Sequence, residues 1–236
     1  MTLKALIFDV DGTLAETEEA HREAFNRVFV EWGLDWHWSQ PLYRDLLQTT
    51  GGKERIRAWQ DRLPNDAPRL SDADIARIHL EKTAIYTGIL ATGELELRTG
   101  VAELIEAARA EGLRLAVATT TNMPNVAALT RCCWNAAPFE VFDVIAAGDE
   151  VDAKKPAPDV FELALERLGL PPGACIAFED SLNGLISARG AGLRVVVTPS
   201  IYTDDQDFSQ AQLVTGNLAQ LGLGDLAALL ADEVAQ

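Results

Sequence analysis

Asp9 and Asp11 are the first residues in the chain that could do chemistry. They close the apolar run Leu3–Phe8, are separated by Val10, and are followed by Gly12 and Thr13. A continuous apolar run of this kind reads as a strand buried on both faces of a parallel sheet. Such sheets bind ligands beyond the carboxyl ends of their strands. Two residues apart on an extended chain, both carboxylates share one face. A carboxylate pair so placed can hold a hard cation through oxygen, or divide nucleophilic from acid/base work.

Three later segments end in the same kind of residue. Leu115–Ala118 runs into Thr119, Thr120, Thr121 and Asn122, whose hydroxyls and backbone N–H groups at a helix start could hold an anion. Lys155, fixed before Pro156, sits on an extended segment where its ammonium could neutralise a phosphoryl oxygen; its neighbour Lys154 reads as a solvated loop lysine. Ile176–Phe178 runs into Glu179 and Asp180, a second acidic pair that is costly beyond a buried strand unless paired or metal-bound. Together these residues form a set for Mg²⁺-assisted phosphoryl transfer. A separate stretch, Thr49-Thr50-Gly51-Gly52-Lys53-Glu54-Arg55, combines a glycine pair for close backbone approach with two cations that could take a second phosphate.

The elements that must position these groups follow from hydrophobic periodicity. Helices are predicted over Glu16–Trp32, with Thr17 as a cap, and over Pro41–Thr50, Lys53–Arg62 and Ser71–Thr87, with no buried strand between them. From Gly100 the pattern alternates. Helices Val101–Glu111, Pro124–Cys132, Pro158–Leu168 and Leu182–Arg189 are interleaved with strands Arg114–Ala118, Val144–Ala147, Ala174–Phe178 and Arg194–Thr198. Leu213-Val214 and a helix over Leu223–Val234 close the chain. Alternation of this kind implies a parallel sheet with right-handed crossovers. The expected architecture is a doubly wound α/β core (residues 1–15 and 90–236) with a small α-helical cap (16–89).

Composition narrows the function. With 236 residues, 48% of them apolar, the chain can bury a sizeable core. Its net charge of −16 argues against a nucleic-acid partner, and means that any anionic substrate must be drawn in by a local cluster of cations. No apolar run reaches the roughly 18 residues of a membrane span, and no signal peptide is visible. Cys132, Cys133 and Cys175 form neither a disulfide framework nor a zinc pattern. A cytoplasmic setting is expected, or the plastid stroma in a photosynthetic eukaryote, and nothing demands more than a monomer.

The Asp9-Val10-Asp11-Gly12-Thr13 motif, taken with Thr119, Lys155 and Glu179-Asp180 in that order, resembles the haloacid dehalogenase superfamily of phosphatases and mutases. The resemblance covers nearly the whole chain. It implies that Asp9 is the phosphorylated nucleophile and Asp11 the general acid/base, with its backbone carbonyl on the metal. Thr119, the Thr120 backbone, Thr121 and Lys155 would hold the phosphoryl group, and Asp9, Asp11, Glu179 and Asp180 would hold Mg²⁺. A helical insert after the first motif is similar to the β-phosphoglucomutase-like branch. The stretch Asp9–Glu18, His21 and Gly51–Ile56 resemble the CbbY-type phosphatases, which hydrolyse xylulose 1,5-bisphosphate, an inhibitor of Rubisco in the Calvin cycle. That likeness implies substrate contacts from Glu16, His21, Thr50, Gly51, Gly52, Lys53, Arg55 and Lys82. A sugar-phosphate mutase, a phosphoglycolate phosphatase and, outside the enzymes, a phospho-receiver domain are the alternatives.

Overall fold

The computed structural model describes residues 2–231. Six parallel strands form one sheet: β1 (Ala5–Phe8), β2 (Arg114–Ala118), β3 (Val144–Ala146), β4 (Cys175–Glu179), β5 (Arg194–Val197) and β6 (Leu213–Val214). Their spatial order is β3-β2-β1-β4-β5-β6. The chain winds outward from β1 in one direction through β2 and β3, then returns to add β4, β5 and β6 on the other side. β1 is therefore the point at which the winding reverses, and a crevice opens there beyond the strand ends.

The predicted strands are buried because both sheet faces are covered. Leu6 and Phe8 point to the side packed by α5 (Val101–Ala110), α6 (Met123–Trp134) and α10 (Leu223–Ala231). Ala5 and Ile7 point to the side packed by α8 (Asp159–Leu168) and α9 (Leu182–Gly190). In the register, Phe8 lies opposite Val117 and Phe178, and the rings of Phe8 and Phe178 stack with centroids 4.6 Å apart. Burying one such ring contributes about 2–3 kcal/mol, and the stack holds the ends of β1 and β4 level.

Between β1 and α5 lie four helices: α1 (Glu18–Glu31), α2 (Gln40–Leu46), α3 (Gly52–Asp61) and α4 (Asp72–Leu90). Phe25, Val28 and Phe29 of α1 recur at helical spacing and meet Trp38, Tyr43, Ile56, Ile75 and Ile78 in an aromatic-rich cluster. Trp38 is wholly buried, with Phe25 at 4.7 Å and Phe29 at 4.8 Å. Ala24, Tyr86 and Leu90 belong instead to the cluster under the sheet, so the helical block is joined to the core by packing as well as by its two connections.

Several boundaries differ from the sequence expectation. α1 starts at Glu18 because residues 9–17 form an irregular turn, with Gly12 N–H bonded to Ala15 O and Leu14 N–H to Val10 O. Thr17 makes no capping hydrogen bond; its hydroxyl is used elsewhere. α2 ends at Leu46, four residues early. α4 continues to Leu90, since Tyr86 and Leu90 extend its buried stripe onto the core. A short helix, α7 (Pro138–Val141), had no sequence signal strong enough to predict it. Positions 232–234 of the expected last helix lie outside the described residues.

Candidate active site

Asp9 leaves β1 with its N–H on Phe178 O at 3.0 Å, which aims the side chain over the end of the sheet. Gly12 then turns at φ +82°, and a Cβ there would collide with the Asp180 carboxylate. The turn therefore requires glycine twice over, for its backbone and for its lack of bulk. Arg98 backs this turn. Its guanidinium donates to the carbonyls of Gly12, Thr198 (2.7 Å) and Pro199 (2.7 Å). Nothing in the sequence singled it out.

Lys155 crosses the crevice. Its ammonium donates to Asp9 Oδ1 at 2.6 Å, Glu179 Oε1 at 2.6 Å and Ala118 O at 2.9 Å. Those are all three donors an ammonium has. The lysine is 5% exposed, and burial alone would strip its proton. The two carboxylates outweigh burial and raise its pKa above the usual lysine value. Glu179 is completely buried, and burial lifts its carboxyl to about 7 against the pull of Lys155.

Asp180 has no such cation. It is 5% exposed, and burial together with the charges of Asp9 and Glu179 pushes its carboxyl well above the carboxylate range. Asp9, Glu179 and Asp180 each present an oxygen within 4.8 Å of the others. Three buried carboxylates with one lysine, which meets only Asp9 and Glu179, fit a hard divalent cation, which takes oxygen ligands and supplies the missing charge. The Asp11 carboxylate is not in this group. It is committed to Thr17 Oγ1 at 2.5 Å and His21 Nε2 at 3.0 Å, leaving the backbone carbonyl as what Asp11 could offer a metal.

Asp11 heads a relay into the helical block. Lys82 donates to His21 Nδ1, which fixes the His21 proton on Nε2 and directs it at Asp11. His21 stacks on Tyr86 at 3.9 Å, and the Lys82 ammonium lies over Phe25 and Tyr86 at 4.8 and 5.0 Å. Burial would raise Asp11, but His21 and Thr17 overcome it and hold the carboxyl at about 2. Burial, opposed by Asp11 and Glu18, brings Lys82 down to about 7. Burial and the Lys82 charge likewise lower His21.

A cavity of about 650 Å³ opens between these groups and the helical block. The structure brings Asp9, Asp11, Lys155 and Asp180 together at its floor, with Thr120 and Thr121 beside them. Thr50, Gly51, Gly52, Lys53, Arg55, His21 and Lys82 line the opposite wall. Arg55 is buried against the Tyr43 ring, 5.1 Å from its centroid, and donates to Tyr43 Oη at 3.0 Å; Lys53 is exposed. Thr119 lies just below the wall, 1% exposed, its hydroxyl accepting from Thr121 N–H at 3.2 Å. Glu179 also sits behind the lining, holding Lys155.

Glu16, expected at the sugar, lies outside this lining and faces Arg98 at 3.3 Å. Glu18 lines the cavity, accepting from Tyr43 Oη at 2.9 Å. Sequence reasoning also missed His79, Asn125 and Lys154, all of which line the cavity. For Glu18 a signal existed: it shares a helical face with His21 and Phe25.

The comparisons with known proteins give the chain its family. Residues 3–192 match the model of the haloacid dehalogenase-like hydrolase family. The chain is 60% identical over 211 residues to protein CbbY of Rhodobacter capsulatus, covering 89% of this chain and 92% of that one. The crystal structure of CbbY from Rhodobacter sphaeroides in complex with phosphate superposes with a TM-score of 0.91 at 51% identity, over 95% of this chain and 99% of that one. An Asp-to-Asn variant of the same protein in complex with xylulose 1,5-bisphosphate also superposes with a TM-score of 0.91, at 50% identity and the same coverage. This chain therefore belongs to the haloacid dehalogenase-like hydrolase family, in which it is a phosphatase.

Proposed function

We propose that the protein is a Mg²⁺-dependent sugar-phosphate phosphatase that converts xylulose 1,5-bisphosphate to xylulose 5-phosphate through a phosphorylated Asp9. The observation that carries this reading is the division of the cavity: Lys155 beside Asp9 at one end, Lys53 and Arg55 on the facing wall. A substrate with a phosphate at each end suits that division, and the R. sphaeroides relative binds such a bisphosphate.

In the first half-reaction an Asp9 oxygen attacks phosphorus in line, and the bond from phosphorus to the sugar oxygen breaks. Asp11 delivers a proton to that leaving oxygen. In the second, Asp11 takes a proton from water, the hydroxide oxygen bonds to phosphorus, and the Asp9–phosphorus bond breaks to release phosphate. Lys155 balances charge on Asp9 and the phosphoryl oxygens, with Thr119 and the Thr120 backbone beside it. Asp9, Asp180, the Asp11 carbonyl and Glu179 would hold Mg²⁺, whose role when bound is to remove the repulsion between two anions. The free enzyme, with Asp11 ionised by His21 and Thr17, is set for the second half-reaction. The first requires those contacts to loosen as the sugar enters and the helical block, residues 16–89, closes over it.

The free thiols of Cys132, Cys133 and Cys175 accord with a reducing, cytoplasmic site of action. Among the described residues no helix is long and apolar enough to cross a membrane. The test is kcat/KM with Mg²⁺ for xylulose 1,5-bisphosphate, ribulose 1,5-bisphosphate, 2-phosphoglycolate and β-glucose 1-phosphate. A preference of about a hundredfold for xylulose bisphosphate, roughly 2.7 kcal/mol of transition-state selectivity, is expected. A flat profile, or isomerisation of glucose phosphate without phosphate release, would overturn the substrate.

A further inference from the structure

Tyr202 is a core residue packed into the helical block. It follows β5 in the chain, yet it belongs to the aromatic-rich cluster around Phe25 and Trp38. Among the described residues, every other buried member of that cluster lies between Phe25 and Ile78. The Tyr202 ring meets Tyr43 edge-on with centroids 5.7 Å apart, and its hydroxyl donates to Glu19 at the start of α1. Two residues on, Asp204 pairs with Arg44 of α2 at 2.5 Å. The Arg44 guanidinium also donates to Ile201 O. Residues 201–204 are thus gripped by α1 and α2.

The same segment holds one of the three clustered carboxylates from behind. Thr203 is 4% exposed, and its hydroxyl donates to Asp180 O at 2.7 Å. A hydroxyl has one proton, and this bond commits it. The Thr203 oxygen in turn accepts from Ser200 N–H at 2.9 Å. Gln206 Oε1 accepts from Leu182 N–H at 2.7 Å, so the peptides at and just beyond Asp180 are both tied to this segment. Tyr202 and Thr203 are neighbours on one tight turn, closed by Thr203 N–H on Ser200 O at 3.1 Å. A shift of one moves the other. Ordering a loop tyrosine costs backbone and rotamer entropy, and its burial in the cluster offsets that cost only while the helical block lies against the core.

We propose that Tyr202 is a positioning residue for Mg²⁺: seated in the helical block, it holds Thr203 against Asp180 and so sets that ligand in place. This rests on the Mg²⁺ part of the reading above and is independent of the substrate named there. Withdrawal of the block unseats Tyr202, frees the turn and loosens Asp180. Linkage makes the effect reciprocal, so bound Mg²⁺ favours the seated arrangement by the same factor.

The experiment is calorimetric titration of Mg²⁺ into the metal-stripped protein, with no substrate present. Thr203→Val is expected to weaken Kd by about tenfold, and Tyr202→Ala, acting through the same bond, by about threefold or more. Tyr202→Phe keeps the ring in the cluster and should recover most of the loss. Tyr202→Ala added to Thr203→Val should weaken Kd no further. Ile75→Val, which thins the same cluster from α4, should leave Kd unchanged. An unchanged Kd in Tyr202→Ala, or losses that add in the double variant, would overturn the proposal. So would an equal loss in Ile75→Val, since any loosening of the helical block would then suffice. A wild type that takes up no Mg²⁺ would overturn the metal reading, and this inference with it.

Discussion

Replacing Lys155 by methionine tests the electrostatic core of the site. The substitution keeps most of the side-chain volume against Phe161, whose ring centroid lies 4.8 Å from the ammonium. It removes the cation from two carboxylates that are 6% and 0% exposed, Asp9 and Glu179. Stranding a buried charge in this way costs about 3–5 kcal/mol. For a chain of this length, that corresponds to a fall in Tm of roughly 6–20 °C. The loss must depend on pH, and its sign follows from linkage. Without the ammonium, the folded-state pKa values of Asp9 and Glu179 rise further above their unfolded values. The folded variant then binds protons that the unfolded chain does not, so its stability is fully present below about pH 4 and is lost as pH climbs through the raised values. Urea denaturation of wild type and Lys155→Met in EDTA at pH 5 and pH 8 measures this. A deficit under about 1 kcal/mol at pH 8, or one of equal size at both pH values, would refute the assignment of Lys155 as the charge that keeps those carboxylates ionised.

Asp9→Asn should abolish turnover while leaving the fold intact; more than a trace of phosphate release would remove Asp9 as nucleophile. Glu18→Gln should lower kcat/KM for sugar phosphates by about tenfold and that for p-nitrophenyl phosphate much less, because the carboxylate lines the cavity on the helical block, where it accepts from Tyr43 Oη. Glu16→Gln, whose carboxylate meets Arg98 and the Ile201 backbone outside the cavity lining, should not show that split. Lys82 titrates at about 7 when folded and near 10.5 when unfolded. The unfolded chain therefore holds the extra proton between those values, and this group makes stability rise with pH from about 7 toward 10. Lys82→Met should abolish that rise and stabilise the protein at pH 6 by at most about 5 kcal/mol, read from urea midpoints at pH 6 and pH 9.

The parts of this site that were legible in the sequence share one cause. A strand buried on both faces has to be an apolar run, so the polar residues that interrupt it at Asp9, Thr119 and Glu179 mark the open edge of the sheet. Parallel strands bring those edges together whatever the loops do. Lys155 was legible because proline fixes the segment that carries it. Glu16 was named from the family likeness alone; the turn over residues 9–17 delays helical spacing until Glu18, and counted from there Glu18, His21 and Phe25 share one face. Thr17 was assigned to capping, yet it bonds a carboxylate six residues back, a contact set by the same turn. Arg98 holds backbone carbonyls distant in sequence and Lys154 one six residues back, and a carbonyl partner leaves no trace in residue identity. The residues at the floor of the cavity come from the strand ends, whereas the wall opposite depends on where α3 and α4 happen to sit.

Arg98 N–H bonds to Leu14 O at 2.8 Å, and Ala15 and Leu97 form an antiparallel bridge. The chain thus enters the helical block and leaves it side by side, tied together before either connection reaches the sheet. An insertion whose ends already touch adds little loop-closure entropy to the core, whatever its length. On this geometry we expect the sheet with its reactive edge and the four helices to be separable at Ala15 and Leu97. New substrates can then arise in this architecture by exchange of the insert, with no change to the machinery that breaks the phosphorus–oxygen bond.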